Sequence, residues 1–198
     1  MHLYGASGHG MVILDILEAN GIPVEGFIDD NPALDELLGL PVYHGKNDAE
    51  ELIISIGSNR VRKMLAEKLP ARFLTAVHPS AIISPRASIG EGSVVMQGAV
   101  VQTCASIGRH CIINTGAAVD HECRIADYVH LSPHTTLCGN VSVGEGTWVG
   151  AGSTIIQSIK VGKWSLIGAG TVVTKDVPDG VLVVGNPGRI IKNLPIPS

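Results

Sequence analysis

The 198 residues have room for one large domain, or for a small domain joined to a medium one. At 45% hydrophobic, 16% charged and 4% aromatic, with 24 glycines, the chain is too apolar for disorder and too rich in glycine for a bulky two-sheet sandwich. A net charge of −4 without a Lys/Arg cluster argues against a nucleic-acid or anionic-membrane surface, and the lack of a leader pattern or long apolar run makes a cytoplasmic location the expectation.

Residues 1 to 76 read as βα units. His2–Tyr4 opens a first strand, GASGHG (5–10) forms a turn, and Met11–Ala19 follows as a helix. VEGFIDD (24–30) is a second strand ending in two acids, followed by a helix around Ala33–Leu38. Leu52–Ile56 is a third strand with Gly57-Ser58-Asn59 as its turn, Arg60–Leu69 is a helix, and Phe73–Val77 leads onward. A glycine-rich turn between strand and helix lets backbone N–H groups approach a phosphate. An acid at the end of the next strand is where a ribose hydroxyl is commonly met, so Asp29 and Asp30 extend the candidate nucleotide site. The plainer readings are a tight βα connection and two solvated acids.

From Val77 an aliphatic residue recurs every six positions, through Val95, Val119 and Leu137 to Val173, without one failure in 17 positions. A second column four residues later is small or β-branched: Ala81, Ala99, Cys111, Ala117, Thr135, Thr147 and Ser153 are examples. A period of six fits neither a helix nor a simple amphipathic strand. It fits a coil of three short strands whose large and small side chains fill a narrow triangular interior, with Gly and Asn providing positive φ at the corners. Three hexads make an 18-residue coil, and coils stack at about 4.8 Å. Residues 77–198 are therefore expected to be an all-β parallel β-helix. Cys104, Cys111, Cys123 and Cys138 form no C-x-x-C pair and are expected to be reduced, structural thiols.

This repeat resembles the hexapeptide-repeat acyltransferases, as does the closing VPDGVLVVGNPGRII (177–191). The resemblance implies a left-handed β-helix, although general crossover rules favour the opposite hand. GASGHG, F-I-D-D and I-G-S-N joined directly to the coils resemble the NeuD/PglD group of sugar acyltransferases, including the UDP-4-amino-sugar N-acetyltransferases of bacillosamine synthesis. That implies a Rossmann-like domain over 1–76 holding a UDP-linked amino sugar on Gly5, Ala6, Ser7, Gly8, His9, Asp29, Asp30, Gly57 and Asn59. It further implies acetyl-CoA as co-substrate, a homotrimer, and no metal, nucleic-acid or membrane partner.

Within the coils, VDHECRI (119–125) places His121 beside two acids at or near an exterior corner, where a carboxylate can adjust a general base. On the residues alone, a surface histidine among charges is the simpler reading. The resemblance makes His121 the base and Glu122 its orienting partner, provided that the corner bends Glu122 back. It also implies Gly139, one coil above, as oxyanion donor and Asn114 as a polar group near the acceptor. His130 is implied at the thioester, with the pantetheine arm beside Gly150, Ala151, Gly152, Gly168, Ala169 and Gly170. Two other readings are a zinc β-helix carbonic anhydrase drawing on His110, His121, His130 and His134, and a non-catalytic trimeric sugar-nucleotide scaffold. Among transferases the alternative is sialic acid O-acetylation.

Overall fold

A computed structural model describes residues 1–45 and 48–197 of the chain. In the N-terminal part, β1 (His2–Tyr4) is followed by α1 (Gly8–Ala19), β2 (Gly26–Ile28), β3 (Glu36–Leu37), β4 (Leu40–Tyr43), β5 (Glu51–Ile54), α2 (Asn59–Lys68) and β6 (Arg72–Phe73). The strands form one sheet in the order β3-β4-β2-β1-β5-β6, parallel except for the β3–β4 pair. Leu3, Phe27 and Ile53, wholly buried, make its centre together with Ile13, Ile16 and Leu17 of α1.

The helix expected around Ala33–Leu38 is absent; a β3–β4 hairpin stands there instead. Leu38 (φ 52°) and Gly39 (φ 78°) both take the left-handed conformation, the two-residue turn geometry that matches strand twist. The Leu-Gly turn decides the local structure.

From Ala76 the chain is a parallel β-solenoid. Two-residue strands recur every six residues from Ala76–Val77 to Val172–Val173, and each up to Thr154–Ile155 pairs with the strand 18 residues on, as in Val94↔Ile112 and Ile112↔His130. They build three sheets, the faces of a prism. The first face contains Val94–Val95, Ile112–Ile113, His130–Leu131 and Trp148–Val149; Val181–Val184 and Arg189–Asn193 extend it as a hairpin. Val100–Val101 and Ala118–Val119 belong to the second face, Ser106–Ile107 and Arg124–Ile125 to the third.

The aliphatic column and the small column both point inward: Val95, Ile113, Val119, Leu131 and Leu137 are wholly buried, as are Ala99, Ala117 and Cys123. Several of the hydroxyls in the small column satisfy a carbonyl within the prism. Ser93 Oγ donates to Gly108 O (2.8 Å), Thr147 Oγ1 to Gly162 O (2.6 Å) and Ser153 Oγ to Gly168 O (2.8 Å). These hydroxyls are thus paired, whereas Thr171 Oγ1, in the same column, has no partner among the described residues.

Corner conformation follows the repeat rather than the residue. Every sixth position from 92 to 170 has positive φ: Gly92, Gly98, Cys104, His110, Gly116, Glu122, Tyr128, His134, Asn140, Gly146, Gly152, Ser158, Trp164 and Gly170. Eight of these 14 are not glycine, so stacking of the coils overrides a local preference of about 1–2 kcal/mol per residue. The glycines that follow the aliphatic column have a separate cause. At Gly90 a Cβ would come within 2.6 Å of Gly108 backbone, and at Gly150 within 2.6 Å of Ala169 N. They permit close stacking of successive coils.

The N-terminal sheet and the solenoid share a core. Ile13 and Leu17 belong to one apolar cluster with Ala76, Val94, Met96 and Ile112 on the first face. Meanwhile α2 lies along the prism edge carrying the corner residues His110, Tyr128, Gly146 and Trp164. Arg62 Nε donates to His110 O (2.7 Å) and Asn59 Nδ2 to Gly146 O (3.1 Å), while Lys63 Nζ lies 5.6 Å from the Trp164 ring centre.

Candidate functional site

Two groups of side chains carry chemistry, and the topology separates them within one chain. His121, Glu122 and Gly139 lie on the edge between the second and third faces; Asn114 and His130 lie on or beside the first face, nearest the N-terminal domain. The prism stands between them.

Position 122 is one of the left-handed corners (φ 60°), and this turn cancels the usual strand alternation that would send neighbouring side chains apart. Glu122 Oε2 consequently comes to 3.1 Å from His121 Nδ1. Asp120 instead turns onto the backbone, its Oδ1 accepting from His121 N (2.7 Å). An Nδ1–H donated to Glu122 leaves Nε2 as the basic nitrogen. Gly139 stands directly over this ring, and its N–H has no hydrogen-bond acceptor among the described residues.

On the first face, His130 Nε2 is 3.2 Å from Asn114 Nδ2, while Asn114 Oδ1 accepts from Thr115 N (2.8 Å). The second bond fixes the amide orientation, so Asn114 donates to Nε2 and the His130 proton resides on Nδ1. Burial first, then the charges of Arg62 and His9, pushes His130 down to about 3; the Gly57 backbone opposes this. Burial and Arg62 likewise bring His9 down to about 4, and its buried Nε2 has no partner. Both rings are neutral at physiological pH.

Trp148, whose role sequence reasoning missed, stacks on His130 with ring centres 4.9 Å apart and planes at 15°, and its Nε1 donates to Ser132 Oγ (2.7 Å). An exterior tryptophan in a chain with two tryptophans was the available signal. It opens a mostly apolar groove of ≈ 470 Å³ running past Gly150, Ala151, Leu166, Gly168 and Ala169. Gly152 and Gly170 are left-handed corners facing open space, whereas Gly168 is held small by Val184 Cγ1, which a Cβ would approach to 2.7 Å. Close packing accounts for Gly168 as it does for Gly150.

The turn residues divide as well. Gly5 is a packing residue: a Cβ there would meet Ile56 Cγ1 at 2.7 Å, and its φ is 118°. A Cβ on Gly8 or Gly57 would enter open space. Ser7 is exposed and its side chain makes no cap bond, so the N-terminus of α1, without an acid in its first turn, presents free N–H groups suited to an anion. Asp29 faces inward: Oδ2 accepts from Ala6 N (2.8 Å) and Oδ1 from Asn31 N (2.9 Å). Asp30 is exposed. The Asn59 amide is fully occupied, with Oδ1 accepting from Arg62 and Nδ2 donating toward Gly146 O and Thr147 O. Asp29 and Asn59 therefore shape the neighbouring turns rather than offering free side-chain atoms.

The remaining titratable groups narrow the chemistry. Burial pushes the Cys111 thiol up to about 12 and also raises Cys123, so neither provides a thiolate at neutral pH. Among the described residues, no three or more His, Cys, Asp or Glu side chains converge in a group that could hold a metal ion. None of the described helices is long and apolar enough to cross a membrane.

Residues 1–69 match the PglD N-terminal domain family, and residues 140–175 match the bacterial transferase hexapeptide (six repeats) family. A curated UDP-N-acetylbacillosamine N-acetyltransferase of Bacillus subtilis (strain 168) is 45% identical over 108 residues, 48% of this chain; the match spans about half (50%) of that relative's length. A crystal structure of a mutant perosamine N-acetyltransferase from Caulobacter crescentus, in complex with CoA and GDP-perosamine, is 36% identical with a TM-score of 0.93, covering 97% of this chain and 96% of that one. The acetyltransferase domain of PglB from Neisseria gonorrhoeae FA1090, in complex with acetyl coenzyme A, is 34% identical with a TM-score of 0.89, covering 96% and 98%.

Proposed function

Since the chain belongs to the PglD-like family of hexapeptide-repeat sugar N-acetyltransferases, we propose that it moves acetyl from acetyl-CoA to the amino group of a nucleotide-linked amino sugar. The single observation carrying this reading is the His121–Glu122 pair under Gly139: a base, its orienting carboxylate and an unused N–H in one place. The N-terminal domain, Rossmann-like in its mostly parallel sheet, receives the nucleotide, and the solenoid, left-handed as in the family, receives the donor.

His121 and the His9–Asn114–His130 group lie across the prism from one another, so a complete site needs two copies of the chain. A homotrimer, in which one copy's edge meets another's first face, provides this arrangement. The donor lies along the Trp148–Ala169 groove with its thioester near His130, and the sugar extends from the GASGHG turn toward the same point.

The sugar amine attacks the thioester carbonyl carbon as His121 Nε2 removes its proton, and Glu122 stabilises the resulting imidazolium. The Gly139 N–H donates to the oxyanion of the tetrahedral intermediate. Collapse breaks the C–S bond, and the leaving thiolate takes the proton from His121, giving the amide and CoA. No covalent enzyme intermediate is needed.

UDP is the expected nucleotide, with Asp30 on its ribose or base. GDP is a second reading favoured by the near-full-length match to a GDP-perosamine complex. A thermal-shift series with UDP, GDP and CMP, each with and without CoA, tests the assignment, since a ligand of the native state raises its stability by mass action. Stabilisation by UDP or GDP and, independently, by CoA is expected. A chain indifferent to all of them would contradict it.

A further inference from the structure

Arg62 is 1% exposed and has no carboxylate partner among the described residues. All five of its N–H groups are used, each on a neutral oxygen. Nε donates to His110 O (2.7 Å), Nη1 to Ile56 O (3.0 Å) and Gly57 O (3.3 Å), and Nη2 to Asn59 Oδ1 (2.8 Å) and Tyr128 O (3.0 Å). His110, Tyr128 and Gly146 are corners of three successive coils; Arg62 takes the first two carbonyls, and the Asn59 amide it holds takes the third. The left-handed φ at these corners is what the solenoid imposes, so the row of acceptors repeats every 18 residues.

A buried, unpaired guanidinium is a costly way to gain stability, because apolar side chains of similar volume commonly do as well or better. What it adds is geometry: a rigid planar fork with five directed donors. We propose that Arg62 is a positioning residue for acetyl transfer, fastening the Ile56–Asn59 turn to the solenoid so that a sugar nucleotide seated there meets the solenoid's first face at a fixed distance. This inference rests on the transfer reading above.

Two further observations agree with it. Gly57, whose side faces open space, lies at the clamped turn, and its backbone is also felt by His130. After burial, the Arg62 charge is moreover the next cause that lowers both His9 and His130. The clamp thus holds the nucleotide turn while opposing protonation of the two rings beside it.

The test compares Arg62→Met and Arg62→Lys with the wild-type protein in CoA-thiol release from acetyl-CoA and the UDP- or GDP-linked 4-amino sugar that the wild type accepts. Arg62→Met is expected to lower kcat about 100-fold, the scale of a misplacement near 1 Å, while KM for acetyl-CoA stays within twofold because the donor groove lies wholly on the solenoid. Arg62→Lys, which keeps the charge but fewer bonds, is expected to recover part of kcat.

A kcat within twofold of wild type in folded Arg62→Met would overturn the proposal, as would a kcat loss matched by equal loss of acetyl-CoA binding. If Arg62→Met does not fold, Asn59→Ala removes the bonds to Gly146 O and Thr147 O and one Arg62 Nη2 bond while leaving Arg62 its bonds to carbonyls; about tenfold loss of kcat with unchanged acetyl-CoA KM supports the clamp, and wild-type kcat overturns it. Wild-type protein that releases no thiol with either sugar nucleotide would instead sink the transfer reading itself.

Discussion

Gly139 stands one coil above His121 so closely that a Cβ built on it would lie 2.5 Å from Cε1 and 2.6 Å from Nε2 of the imidazole. The ring's nitrogen and the unused Gly139 N–H therefore share one small space, which only a residue without a side chain leaves open.

Gly139→Ala tests that relationship. Its φ lies outside the left-handed region, and the obstructing atoms belong to a half-exposed ring able to swing away, so folding should be little disturbed. We expect a melting temperature within a few degrees of wild type and a kcat at least ~100-fold lower, the size of losing an aligned base or oxyanion donor. An active Gly139→Ala enzyme would separate His121 from the reaction.

His121→Ala should likewise reduce turnover at least ~100-fold while leaving nucleotide binding nearly unchanged, since the GASGHG turn proposed for the nucleotide belongs to a different domain. Glu122→Gln keeps a hydrogen-bond acceptor but removes the charge that stabilises the imidazolium, so a smaller loss, about tenfold, is expected. Steady-state kinetics with calorimetric binding of UDP or GDP distinguishes these results from a folding defect.

The two acids after β2 should respond differently. Asp30 is exposed, so Asp30→Ala should weaken nucleotide binding with little change in melting temperature. Asp29 holds Ala6 N and Asn31 N, so Asp29→Ala should lower the melting temperature as well, by loosening the turn. Equal thermal effects would contradict the division.

Stability should fall on mild acidification. Burial holds His9 and His110 down to about 4 and His130 to about 3 in the folded chain, against about 6.5 for an unfolded imidazole. Between pH 6.5 and 4 the unfolded chain binds protons that the folded one does not, so stability rises with pH across that window and these groups leave it flat above. His110 is wholly buried, stacked on Tyr128 and in edge contact with Phe73, and neither ring nitrogen has a partner. His110→Phe should therefore flatten the fall of melting temperature between pH 7 and 4.5. An equal or steeper fall would contradict the assignment.

The solenoid was legible because its interior accepts one large and one small side chain per hexad, and that demand is written at every sixth residue from Val77 to Val173. The corners were only half legible. Glycines and Asn140 marked some, but Glu122 and His110 take the same left-handed turn with nothing in their identity to announce it, because stacking imposes it. That turn also answers how Glu122 returns to His121. The Arg62 clamp was invisible because its acceptors are backbone carbonyls, which every residue carries; the spacing of Asn59 and Arg62 on one helical turn was the only trace. The helix expected around Ala33–Leu38 failed because Leu38-Gly39 forms a left-handed two-residue turn.

The most direct measurement is free thiol released from acetyl-CoA when the protein is given UDP- or GDP-linked 4-amino-4-deoxy sugar, followed beside His121→Ala. Stoichiometric thiol and N-acetylated sugar with wild-type protein, and at least ~100-fold slower release with the variant, are expected. Thiol release that is independent of the amino sugar, or unchanged when His121 is replaced, would contradict amine acetylation at this corner.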